Sequence, residues 1–218
     1  MSTGTIEYEP KRYEEIATAI GHVCLSWREI EEMLHRIVLR LAEVIDPTIE
    51  HGPSSVTFHI ILSECDLSRK IASAKALAFI ASGEEAGPLF VRTRELLNLI
   101  DKKLRLERNK YIHEEWIDLG ERIVRGDPRA RVSTPQSHSF ALDLGQEKSF
   151  DSIEHVYEFA SVLEAAAVDL DALRNHIWTI LLVKKGDLKT LQNLPETWSS
   201  LGAFESWKRA SHTTSETE

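Results

Sequence analysis

Residues 11–45 read KRYEEIATAIGHVCLSWREIEEMLHRIVLRLAEVI. Within them Ile16, Ile20, Val23, Trp27, Ile30, Leu34, Ile37, Leu41 and Val44 recur at alternating steps of four and three. Such steps draw one apolar stripe down a helix of about eight turns. Leu25, Val38 and Leu39 widen the stripe, which points to burial in a bundle rather than a bare coiled-coil seam. Asp46-Pro47 stops the helix, because the residue before proline is pushed out of the α region. His22 and His35 lie beside the stripe as boundary or surface histidines.

The same period returns further along. Leu67, Ile71, Ala74, Leu77 and Ala78 mark a helix over 66–81, capped by Asp66 or Ser63. Leu97, Ile100, Leu104 and Tyr111 mark one over 88–111, at steps of three, four and seven. Ile153, Val156, Ala160, Leu163, Ala167, Leu170, Ile177 and Leu181 mark one over 152–184, with Arg174 as the exception. Asp151-Ser152-Ile153-Glu154 resembles a capping box with Asp151 at the cap. Between the first two helices, Val56–Leu62 is a short, mainly apolar run that reads equally as a strand or a buried helical turn. Trp116–Lys148 loses the helical period, and Gly120, Gly126-Asp127-Pro128 and Pro135 punctuate it. Alternation in Trp116–Leu119 and Ser139–Asp143 fits a small β-hairpin or an ordered loop. The pattern predicts an all-α up-and-down bundle of about four main helices, with a loop or β-hairpin insertion before the last long one.

Residues 1–10 read as a flexible leader, 11–185 as one helical domain with its insertion over 116–150, and 186–209 as a docking tail. Trp198, Phe204 and Trp207 give that tail its reason to dock, on the body or on a second subunit. Residues 210–218 are polar and read as disordered.

Composition narrows the function classes. Of 218 residues, 42% are apolar and 28% charged, as in an ordinary globular chain. A net charge of −9 argues against a broad nucleic-acid binder, though a local basic cleft remains open. Cys24 and Cys65 are too few for a disulfide framework or a zinc site and suit a reducing cytoplasm. There is no phosphate-cradling glycine loop, no nucleophile elbow, no metal-ligand spacing and no membrane span.

One run carries possible chemistry: Arg108-Asn109-Lys110-Tyr111-Ile112-His113. On a helix Asn109 and His113 share a face, and the stem of Arg108 reaches the same region. An imidazole exchanges protons near neutrality, a guanidinium stabilises phosphoryl charge, and an amide orients either. Those three suit phosphodiester cleavage. The residue types alone also fit a basic helix end that complements its dipole. Lys102, Lys103, Arg105 and Lys110, with Arg122 and Arg125 beyond them, extend the positive charge as candidate RNA contacts. Arg174-Asn175-His176 repeats the letters at another spacing and reads as coincidence.

Arg108-Asn109 and His113, with four residues between Arg and His, resemble the signature of HEPN domains. In that family an Arg followed by a polar residue precedes a His by about four to six positions, late in a helix of an all-α bundle. With four to six residues allowed between Arg and His, Arg28…His35 and Arg131…His138 match as well, but only Arg108 is followed by Asn late in a long periodic segment. The resemblance covers 11–185 and implies a metal-independent endoribonuclease of a toxin–antitoxin or phage-defence system. Arg108, Asn109 and His113 would be its catalytic residues, with no cofactor and no metal, and with an antitoxin or defence protein as partner. It implies a homodimer in which two motifs face one cleft. A non-catalytic HEPN-like module binding a protein or nucleotide, or a structural dimer, fits the same letters. Some family toxins carry a Tyr two residues after the His, which a partner modifies; Glu115 stands there in this chain.

Overall fold

The computed structural model describes residues 10–48, 53–83, 87–113, 115–118, 123–126, 132–133, 141–142, 152–188 and 193–213. The described structure is mostly helical. Most of the leader, much of the 116–150 insertion and the last five residues lie outside the described residues.

Helix α1, Pro10–Ile45, follows the quoted stripe: Ile16, Val23, Trp27, Ile30, Leu34, Ile37, Leu41 and Val44 are all buried and Ile20 is half-buried. Each such side chain contributes about 1.5–3 kcal/mol relative to exposure. Helix α2, Pro53–Ser63, resolves the ambiguous run as helix, opened by a proline whose missing N–H is harmless at a first turn. Helix α3, Leu67–Ser82, is capped by Asp66, whose side chain accepts from the Arg69 N–H at 2.8 Å. It ends on Gly83 at φ 73°, a conformation glycine adopts at no steric cost.

Helix α4, Pro88–Leu99, passes through a π-helical turn, Ile100–Leu104, into α5, Arg105–His113. Helix α6, Ile153–Lys185, corrects the expected cap by one residue. Ser152 is the cap and accepts from the His155 N–H at 3.2 Å, while Asp151, the expected cap, lies outside the described residues. Gly186 at φ 83° closes α6, and the Asp187 N–H reaches back to the Leu182 carbonyl at 2.9 Å. Helix α7, Ser199–Thr213, continues past Ala210, where composition marks disorder. In the insertion, β1 (Glu115–Asp118) pairs antiparallel with β2 (Ile123–Gly126), and β3 (Val132–Ser133) with β4 (Ala141–Leu142).

Side-chain pairs fix the directions of the helices. His22 meets Tyr157 with ring centroids 5.5 Å apart, and the Lys184 ammonium donates to the Val44 carbonyl at 3.1 Å. Helices α1 and α6 therefore run parallel. Lys75–Asn98 at 2.9 Å and Arg105–Ser68 at 2.6 Å make α4–α5 antiparallel to α3. Asp169 at the Ser199–Ser200 end of α7, and Trp207 at the His155 carbonyl, make α7 antiparallel to α6. The short α2, joined to α1 through His35 and His59, supplies a reversal between α1 and α3. Ile30, Leu34, Ile37, Leu41, Leu96, Ile100, Leu104, Phe159, Leu163 and Phe204 fill the shared core. No helix among the described residues is long and apolar enough to cross a membrane.

Candidate functional site

The step of seven between Leu104 and Tyr111 hides a residue. Arg108 stands four after Leu104 and three before Tyr111, both buried, and so occupies an inward position of the stripe. The structure bears this out. Arg108 is half-buried, with its guanidinium carbon 5.6 Å from the centroid of the Trp27 ring on α1. Its Nη1 donates to Asn109 Oδ1 at 3.0 Å, while its Nε is buried without a hydrogen-bond partner. Trp27 is held in turn by its Nε1, which donates to Glu31 Oε1 at 2.9 Å. The ring face attracts the cation. The orphaned N–H is a cost that an ordinary core side chain would not carry.

Asn109 is half-buried beside it, and His113 is exposed at the last residue of α5. Asn109 and His113 are one turn apart, whereas Arg108 and His113 point about 140° apart around the axis. The structure thus ties Arg108 to Asn109 and places His113 on the side of Asn109, not of Arg108. Behind them Tyr111 is buried against Phe159, with centroids 5.1 Å apart. Trp116 stacks on Tyr111 and donates to its carbonyl at 3.0 Å. This packing fixes where α5 ends, and with it where His113 stands.

The flanking cations fan out rather than gather beside His113. Lys103 bonds Glu205 of α7 at 2.6 Å and lies 5.3 Å from the centroid of Phe204. Lys102 and Lys103 line a groove of about 500 Å³ with Trp198 and Leu201. Arg105 donates to Ser68 on α3, and Lys110 to both oxygens of Glu107 at 2.8 Å. Arg125 is in register with Trp116 across β1 and β2, and Arg122 lies outside the described residues.

The sequence reading missed a second constellation. Arg36 and Arg40 of α1, His59 of α2, and Arg174, Asn175 and Trp178 of α6 line a cleft of about 500 Å³. Next to it His35 Nε2 lies 3.1 Å from His59 Nδ1. Burial first, then the charges of Lys70, His59 and Arg36, hold the His35 imidazole below its ordinary pKa. The available signal was the "exception" at Arg174: four after Leu170 and three before Ile177, it too is an inward stripe position. Among the described residues no group of three or more His, Cys, Asp or Glu side chains is placed to hold a metal ion. No protein-family model, curated protein or solved structure matches this chain.

Proposed function

We propose that this chain is a HEPN-like, metal-independent endoribonuclease, built as an up-and-down helical bundle with a hairpin insertion and working as a homodimer in the cytoplasm. The observation that supports the reading most is Arg108 at a core-stripe position, bonded to Asn109, one turn before the exposed His113. A dipole-matching surface arginine has no reason to sit inward with an orphaned Nε. In the proposed reaction His113 takes the proton of a ribose 2′-hydroxyl, the 2′-oxygen bonds to phosphorus, and the bond to the 5′-oxygen breaks. The leaving oxygen takes up a proton, and a 2′,3′-cyclic phosphate remains. Arg108, swung from Trp27 towards the substrate, balances the phosphoryl charge with a fork that lysine lacks. Because Arg108 and His113 diverge around α5, two copies facing one cleft would let one protomer's His113 work with its partner's Arg108. The aromatic tail no longer argues for that dimer, since Trp198, Phe204 and Trp207 are buried within the chain. The exposed Val56, Ile60 and Ile61 of α2 offer apolar surface instead. A toxin–antitoxin or phage-defence setting, with a neutralising partner protein, follows from the resemblance.

The non-catalytic module is the second reading, favoured by the same contact that holds Arg108 on Trp27 and away from His113. Purified wild type and His113→Ala, incubated side by side on total RNA with EDTA, separate the two. The ribonuclease reading expects cleavage with 2′,3′-cyclic phosphate ends, lowered by about a hundredfold to ten-thousandfold in His113→Ala. Equal cleavage by both proteins, or none by either across several RNAs with the dimer intact, moves the assignment to the binding module.

A further inference from the structure

The cleft between α1, α2 and α6 lies about 20 Å along α1 from Trp27, so it is separate from the Arg108 site. Its inward residue is Arg174. The Arg174 Nη2 bridges to Asp171 Oδ1 at 2.7 Å and lies 3.2 Å from Asn175 Oδ1, while Asn175 Nδ2 donates to Asp171 Oδ2 at 3.0 Å. Asp171 and Asn175 thereby fix the direction of the guanidinium fork. Across the cleft Arg36 and Arg40 stand one turn apart on α1, and Arg40 lies 4.3 Å over the centroid of Trp178. Three guanidiniums therefore line one cleft, each paired with a carboxylate of its own helix: Arg36 with Glu32, Arg40 with Glu43 at 2.5 Å, and Arg174 with Asp171.

We propose that this cleft binds a small molecule carrying one or two phosphate groups. The charge supports an anion: on a chain of net −9, three arginines converge on one concave place. Their present partners do not preclude it. Arg36 pairs with Glu32 and Arg174 with Asp171, each along its own helix surface, while Arg40 keeps Glu43 and its place over Trp178 and adds charge without a free fork. Such pairs are worth about 0–1 kcal/mol and yield to a bidentate phosphate. The volume supports a small ligand, since pockets of about 300–1,000 Å³ suit small molecules. The acids limit the length of the ligand: with Glu32, Glu43 and Asp171 beside the arginines, the positive surface is short enough for one or two phosphate groups and offers no continuing track for a long phosphodiester.

The test is calorimetric titration of the full-length chain with sodium pyrophosphate and with orthophosphate, at matched ionic strength. One site per chain is expected, with pyrophosphate the tighter ligand. Arg36→Gln and Arg174→Gln should each weaken binding by about tenfold or more, the loss of one charge-assisted hydrogen bond. Arg69→Gln makes the same change of charge on α3 and should leave binding as it was. Arg36 is exposed, so its variant folds and reports even if Arg174→Gln does not. Absence of binding at millimolar pyrophosphate overturns the proposal, as does equal affinity in wild type and Arg36→Gln. It is also overturned if a short oligoribonucleotide displaces pyrophosphate and depends on the same arginines, because the cleft is then a track for RNA.

Discussion

Replacing Arg108 by methionine should make the protein more stable and, on the ribonuclease proposal, remove the proposed RNA cleavage together. Methionine is a good helix former and fits an apolar stripe position. Three terms set the magnitude. The Nε is buried without a partner, and relief of that desolvation returns about 1–3 kcal/mol. Loss of the 3.0 Å bond to Asn109 costs about 1.5 kcal/mol. Loss of the ring contact with Trp27 at 5.6 Å costs about 0.5–1 kcal/mol at a half-exposed site. Apolar contact of methionine with Leu104, Tyr111 and Trp27 adds about 1 kcal/mol back. The balance is a gain near 1 kcal/mol, or a rise of about 2–4 °C in Tm for a chain of this length. Urea and thermal denaturation of the two proteins measure it, with RNA cleavage assayed on the same preparations. A destabilisation beyond about 1 kcal/mol would refute the reasoning, because the guanidinium would then be a structural strut and not a group retained for its chemistry.

Asp169 accepts from the N–H and hydroxyl groups of Ser199 and Ser200, at 2.6–3.3 Å, and so caps α7 from the side of α6. Asp169→Ala should release α7 at a cost of about 2–4 kcal/mol, seen as faster hydrogen exchange over 199–213; unchanged protection there would show that the aromatic contacts suffice alone. Two glycine changes should have opposite signs. Gly186→Ala places a Cβ at φ 83° with no steric neighbour and should cost about 1 kcal/mol, whereas Gly202→Ala within α7 should gain about 0.5–1 kcal/mol. For pH, the unfolded chain protonates His35 near 6.5 while the folded chain resists it. The unfolded state then binds more protons, so this stability is full above about pH 6.5 and is lost as pH falls below it. Denaturation midpoints for wild type should fall between about pH 7.5 and 5 more steeply than for His35→Gln; parallel slopes would rule the imidazole out as the cause.

The helices were legible because burial here is periodic. Four segments with sustained apolar steps, two of them interrupted by an arginine, became α1, α3, α4–α5 and α6, each within a residue or two of the expected ends. The segment that failed to declare itself, Val56–Leu62, is too short and too evenly apolar, with only Thr57 and His59 polar, to carry a clear phase. In the structure only Leu62 is fully buried, and Val56, Ile60 and Ile61 remain exposed. The π-helical turn at Ile100–Leu104 left no local signature either, since Leu97, Ile100 and Leu104 keep ordinary helical steps across it. The candidate site was legible by letter but not by place. Periodicity gives the phase of a residue around its own axis, so it puts Arg108 and Arg174 inward once the gaps of seven are read as filled. It does not give the partner. Trp27 facing Arg108, and His35 facing His59 across 24 positions, are products of how helices pack.

That packing also couples the tail to the site. Trp207 stacks on His155 with centroids 4.7 Å apart and donates to its carbonyl, and it leans on Phe159 at 4.9 Å. Phe159 touches Tyr111, which lies two residues from Asn109 and two from His113. Rings at these spacings gain about 0.5–1.5 kcal/mol per pair beyond their buried area, so the row from α7 to α5 is rigid as long as α7 stays docked. What holds α7 down at its other end is Asp169, together with the Trp198 Nε1, which donates to the Arg92 carbonyl of α4 at 3.0 Å. The tail thus clamps both ends of the α4–α5 segment, Arg92 at one end and Tyr111 at the other. A tail that only covered apolar surface could be trimmed at a cost in stability alone. One that sets the position of Tyr111 should, when trimmed, also shift α5 against α1, carrying Arg108 away from Trp27 and His113 with it.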